Sequence, residues 1–266
     1  MSVTTAPVTL DLSGTPRVSM ARLAKVEFRK ALDTRAGRWF VIGILALVVV
    51  IEVIYTFAAH DDMKDFQDYL QIPGGTLGYF LPIIIVMLVT SEASQRNGLV
   101  TFTLEPKRSR VVLAKFIAGI VLAAIVLVLA FALAVLGTLF GALLGSSPSW
   151  SLNGNLVFNG FVLSNLIGVF VGFAIGMVIL NTAGGIVAYF AYSLILPIAV
   201  SILGALSKGF EDFAPWVEFN TAQSPLFQGD YVPTAEQWAQ IATSGTIWLL
   251  IPLAFGIWRL LRIEFK

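Results

Sequence analysis

Apolar positions fall into six long runs, at residues 39–59, 76–90, 111–144, 157–180, 185–206 and 243–261, with polar residues gathered between them. Backbone amides and carbonyls find partners in hydrocarbon only inside helices or closed barrels, so these runs predict membrane-spanning helices. About 20 residues of helix cross a core of about 30 Å, and five of the six runs reach that length. The second is short and leans on Ile72, Pro73 and its glycines to reach the surface. The predicted fold class is all-α, a polytopic membrane protein with six spans.

A different pattern precedes the first run. Over residues 19–33, Met20, Leu23, Ala24, Phe28 and Ala31 share one helical face, while Arg22, Lys25, Arg29 and Asp33 share the other. Ser19 is placed to cap this helix. A basic amphipathic helix directly before a span predicts an elbow lying in the membrane interface against anionic lipid. A second role, contact with a cytoplasmic partner, is compatible with the first.

Composition agrees with the pattern. Of 266 residues, 57% are hydrophobic and only 12% charged, with a mean hydropathy of +0.85, against about a quarter charged in soluble domains. Six spans and their loops leave no room for a soluble domain, so residues 19–266 read as one transmembrane domain. Residues 1–18, rich in Thr, Ser and Pro, read as a disordered tail without the apolar core of a signal peptide. The absence of cysteine excludes disulfides and thiolate-bound metal.

The net charge of +1 conceals a sided distribution. Fifteen of the 17 basic residues lie before the first run, around the loop between the second and third up to Lys115, or at the C-terminal end from Arg259 onward; only Lys64 and Lys208 lie in the other loops. The alternate loops are acidic, with Asp61, Asp62, Asp65 and Asp68 in one and Glu211, Asp212, Glu218, Asp230 and Glu236 in another. This bias predicts both termini in the cytoplasm, and Trp39 and Trp258 fall at headgroup level.

The loop between runs two and three has a design of its own. Ser91 can cap a short helix, Glu92 suits its positive end, and Gly98 ends it. Pro106 stops the following segment, and 107–110 re-enter the membrane with Lys107, Arg108 and Arg110. A short polar helix there has the shape needed to press into a groove of a soluble motor. The competing reading is an ordinary positive-inside loop, although basic retention alone leaves Glu92 and the cap unexplained.

These features resemble a known family. The stretch EFRKALDTRAGRWF (27–40), the six spans, and TSEASQRNGLVTFTLEPKRSRVVLAKFIAG (90–119) are similar to the membrane subunit of type-2 ABC exporters. The resemblance covers most of the chain by topology and these two stretches by residues. It implies a permease that pairs with a second copy and with two separate ATPase subunits in the plasma membrane. It also implies an ATPase-docking coupling helix between spans two and three, which here holds Glu92, Arg96 and Asn97, with Glu105, Arg108 and Arg110 flanking. No G-x-x-x-x-G-K-[S/T] occurs, so ATP and Mg are expected on the partner and no cofactor on this chain. Nothing points to nucleic acid.

Three features remain. Gly168, Gly172 and Gly176, and likewise Gly137, Gly141 and Gly145, stand four apart, a spacing that lets helices pack closely within the chain or across a dimer seam. Glu52 is the only acid inside a run, and three readings are open for it: a substrate cavity that meets a cationic ligand, a protonated site, or a place near the headgroups. Residues 207–241 mix acids, prolines and aromatic rings and predict short helices at the outer interface. An intramembrane hydrolase lacks ligands, since His60 is the only histidine. An ATPase-independent secondary transporter, or the substrate-capture subunit of an importer, remains the alternative function.

Overall fold

The computed structural model describes residues 18–60, 63–94, 107–228 and 232–262. Among these residues there is no strand. Six helical segments are long and apolar enough to cross a membrane: Arg35–Ala58, Phe66–Glu92, Arg108–Leu143, Leu156–Ile179, Thr182–Leu206 and Ala235–Arg262. They are called spans one to six. The six-span, all-helical expectation is met.

The entrance helix, Met20–Asp33, forms where the amphipathic pattern places it, and the Ser19 hydroxyl accepts from the Arg22 amide. Ala24 is buried, with Phe28, Ala31 and Leu32 packed on the core, while Arg22, Lys25 and Arg29 are exposed. Thr34 then takes an extended conformation that ends this helix, and its hydroxyl caps span one through the Gly37 amide at 3.0 Å. The two helices meet so closely that a Cβ on Gly37 would lie 2.0 Å from the Ala31 carbonyl oxygen. Only glycine fits that corner.

Span two is the hub of the bundle, packed by spans one, three, four and five. It runs far beyond the short segment expected at 76–90, because its helix continues unbroken over Phe66–Ser94 with Pro73 and Pro82 inside. Gln67, Asp68 and Gln71 lower the hydropathy of its first turns. Those turns are nonetheless held by burial of Phe66, Tyr69 and Leu70 and by Trp150 stacked on Phe66 at 5.4 Å. Span four lays its glycine stripe on span two. A Cβ at Gly168 would come within 3.1 Å of Pro82 Cγ, one at Gly172 within 2.6 Å of the Pro82 carbonyl oxygen, and one at Gly176 within 3.0 Å of Val89. Gly137 and Gly141 of span three likewise meet Glu52 and Tyr69. Gly168, Gly172, Gly176, Gly137 and Gly141 therefore pack inside the chain, whereas Gly145 lies past the end of span three at φ 103° and a Cβ on it would meet nothing within 4 Å.

One end of the bundle gathers the entrance helix, the end of span two, the starts of spans three and five and the end of span six. Thr90 and Thr182 share a hydrogen bond of 2.7 Å there, and Arg108 donates to the Leu260 carbonyl at 3.2 Å. This is the terminal end. The turn into span five is formed by Leu180, at φ 53°, and by Asn181, whose side chain accepts from the Gly184 amide at 2.8 Å.

At the opposite, loop end, residues after span five form helices Lys208–Val217 and Phe219–Gln223. Short helices were expected there. The stretch is shorter than 207–241, however, because span six starts at Ala235 rather than 243 under a capping box of Thr234 and Gln237. Spans four, five and six each contain a π-helical stretch, Leu156–Leu163, Ala191–Ile195 and Thr246–Leu250. Two of these are tied to the loop-end helices: Asn220 Nδ2 donates to the Tyr192 carbonyl at 3.3 Å, and Trp248 Nε1 to the Val217 carbonyl at 2.7 Å.

Candidate functional site

Four charged side chains meet at the terminal end, where the entrance helix crosses spans two and three. Lys115, in the second turn of span three, is 2% exposed, and Glu27 and Glu92 are also buried. Lys115 Nζ donates to Glu27 Oε2 at 2.7 Å and lies 3.6 Å from Glu92 Oε2. Lys30 Nζ reaches Glu27 Oε1 at 2.7 Å and Glu92 Oε1 at 3.0 Å. Each ammonium thus bridges both carboxylates, which closes a ring of zero net charge. Lys115 spends a further proton on the Leu88 carbonyl at 3.3 Å. Buried charges persist only when paired and hydrogen-bonded, and this ring meets that condition with groups from three helices.

Burial pushes the Glu27 carboxyl up, but Lys115 and then Lys30 more than reverse it, so its pKa lies below the ordinary 4.5. Burial likewise pushes the Lys30 ammonium down, while Glu27 and then Glu92 hold it above the ordinary 10.5. The linkage has a definite sign. A depressed carboxyl stabilises the fold above its unfolded pKa and loses that effect as pH falls through the folded value. A raised ammonium stabilises below its unfolded pKa and loses that effect as pH rises through the folded value. The melting-point gap between wild type and Glu27→Gln is therefore expected to be flat from about pH 5.5 to about pH 9 and to shrink under acid. Thermal melts in detergent across that range check this, and a gap that widens on acidification contradicts it.

The residues expected to dock a partner are placed differently from one another. Ser91 does not start a new helix: its hydroxyl donates back to the Leu88 carbonyl at 2.9 Å, because span two continues through it to Ser94. Glu92 consequently faces inward, to Lys30 and Lys115. Arg108 is turned to the end of span six, and Arg110 donates to the Val18 carbonyl beside the entrance helix. Arg22, Lys25 and Arg29 present an exposed basic face. Arg96, Asn97 and Glu105 lie outside the described residues. The sequence reading missed Glu27 and the pairing role of Lys115, although Lys115 beside a long apolar run was a signal in itself. An intramembrane lysine seeks a carboxylate.

Glu52 lies in the packed seam between spans one and three. It is 4% exposed, and a Cβ on Gly137 would stand 2.9 Å from its Oε2 and 2.9 Å from the Tyr69 ring. Its Oε1 has no hydrogen-bond partner among the described residues. Beside it, Thr56 Oγ1 and Tyr69 OH are 2.8 Å apart, and Thr56 donates to the Glu52 carbonyl.

Comparison with curated proteins gave no match. The model of the ABC-2 family of transporter proteins matches residues 23–208, well over half of the chain. The matched stretch holds the entrance helix from Leu23 onward, spans one to five and all four members of the buried ring. The chain belongs to the ABC-2 transporter family.

Proposed function

We propose that this chain is the membrane subunit of an ATP-driven exporter in the plasma membrane, working as a homodimer with two copies of a separate ATPase that binds ATP and Mg. The observation that carries this reading is the buried ring of Glu27, Lys30, Glu92 and Lys115. It ties the entrance helix to the last turn of span two and the second turn of span three, on both sides of residues 95–106. A partner that pushes on that loop moves spans two and three together with the entrance helix, because stretching the ring exposes unpaired buried charge. Arg96, Asn97 and Glu105 supply polar groups that meet the ATPase, and Arg108 and Arg110 anchor the start of span three. Arg22, Lys25 and Arg29 face the headgroups of the cytoplasmic leaflet, with both termini on that side.

Purification in mild detergent from the native membrane tests the assembly. The expected particle holds two copies of this chain and two of a P-loop ATPase. A monomer-sized particle that transports without an ATPase refutes the reading and points to a secondary transporter. In proteoliposomes of the full complex, Arg96→Ala is expected to keep ATP hydrolysis while cutting transport about tenfold, the effect of losing one charged contact worth about 1.4 kcal/mol. Wild-type transport in that variant would leave the loop as a topology signal only.

A further inference from the structure

A cavity of about 390 Å³ opens between spans two, four and five and the loop-end helices. It shares Gly74, Gly75 and Phe227 with a second cavity of about 220 Å³ running towards Leu156 and Phe161, so the two form one cleft. That size falls in the range of small-molecule sites. Among the described residues, no Asp, Glu, Lys, Arg or His lines either part.

The walls mix polar and apolar groups, with Gln67 and Gln71 reaching the smaller part as well. Ser193, Asn220 and Gln223 bring hydroxyl and amide groups to one side. Ile167 and Val171 in the larger part, with Leu156 and Phe161 in the smaller, bring apolar surface. The Ser193 hydroxyl is buried and makes no hydrogen bond of normal geometry among the described residues, the Tyr189 phenol beside it already donating to the Gly78 carbonyl at 2.8 Å. A buried hydroxyl left unpaired is unfavourable, and a ligand oxygen or nitrogen beside it removes that penalty.

Span two also leaves the space empty. Glycine within a helix is disfavoured relative to alanine, and most glycines of this bundle have a close neighbour that requires them. Gly75 and Gly78 do not: a Cβ on either meets nothing within 4 Å. Both line the larger cavity. The void there follows from residue choice and not from a failure of the helices to approach.

Resting on the transport reading, we infer that this cleft binds an uncharged amphiphile, with a hydrogen-bonding head at Ser193, Asn220 and Gln223 and an apolar body towards Phe161. A cationic or anionic ligand has no counter-charge among the described residues of the wall, and an uncompensated buried charge is strongly disfavoured. The buried Glu218 carboxylate bonded to Asn220 is already taken up by donors of Asn220 and Thr221. Glu52 gives no such partner, since it is packed against Gly137 in the seam of spans one and three.

The test is photolabelling of the purified full chain in phospholipid vesicles, with no ATPase and no transport required. The probes are a diazirine-bearing alkylphenol and its trimethylammonium counterpart of equal chain length. Labelling of peptides spanning 74–79 and 220–227 is divided by labelling of the exposed surface of span three at Val128 and Leu136. The phenol is expected to exceed the cation in this ratio by roughly tenfold or more, given the penalty on buried charge. Gly78→Phe is expected to abolish the excess by filling the void. Gly75→Leu, a smaller insertion into open space, serves if Gly78→Phe fails to fold. Equal ratios for the two probes, or an undiminished excess in a folded filling variant, overturn the inference. Such a failure leaves ATPase partnership untouched, and a missing ATPase leaves the labelling ratio untouched, so the two proposals fail separately.

Discussion

Lys115→Met is expected to lower the thermal midpoint of the purified chain by about 10 °C. Removing one partner of a buried ion pair costs about 3–5 kcal/mol, because the remaining charge stays buried and uncompensated. At about 2–4 °C per kcal/mol for a chain of this size, the shift is of the stated order. Here Lys115 is 2% exposed, and its loss leaves Glu27 and Glu92 with Lys30 alone between them. A second variant separates lost pairing from lost packing. Glu27→Gln combined with Lys115→Met removes one charge of each sign and leaves Lys30 against Glu92, so it is expected to recover at least half of the loss. Lys25→Met, on the exposed face of the same entrance helix, is expected to change little. A melting point for Lys115→Met within about 2 °C of wild type would mean that the ring holds nothing.

A pair of glycine-to-leucine variants should differ in sign. Gly172→Leu, on span four, drives a side chain into the backbone of span two, where its Cβ alone would stand 2.6 Å from the Pro82 carbonyl oxygen and 3.1 Å from Pro82 Cα. Overpacking costs about 1–3 kcal/mol, and backbone cannot swing aside as a side chain can, so the upper end of that range is expected. Gly75→Leu meets nothing within 4 Å and replaces a poor helix former with a good one, a gain of up to about 1 kcal/mol. Melting points of the two variants in the same detergent read the difference directly. If Gly172→Leu is no less stable than Gly75→Leu, spans two and four are not in the close contact described.

Much of the architecture was legible before any coordinates. The six runs predicted six spans because a helix in hydrocarbon needs an unbroken apolar length, which is a local property. Ser19 as a cap and the close-packed Gly168, Gly172, Gly176, Gly137 and Gly141 were readable for the same reason, since caps and four-residue spacings are written within one or two turns of helix. The limits of spans two and six were not. The helix from Phe66 carries glutamines, an aspartate and Pro73 in its opening turns, and these lower a hydropathy sum although Trp150 and Phe131, far along the chain, bury Phe66 and hold the segment helical.

The candidate site divides along the same line. By itself the sequence determined that Arg22, Lys25 and Arg29 form a basic face, since three positions on one helix share it by periodicity alone. It also determined that Glu52 is an acid in apolar surroundings, which must be answered somehow. Only the tertiary structure decided how. Lys30 meets Glu92 across 62 positions and Lys115 meets Glu27 across 88, so the ring is invisible to any window shorter than the fold. The same distance effect turned Glu92 from an expected surface contact into a buried one and packed Glu52 against Gly137. It also opened the uncharged cleft beside Gly75 and Gly78. Apolar length and helical period are properties of neighbouring residues, whereas the partner of a buried charge and the shape of a void depend on which helices come to lie side by side.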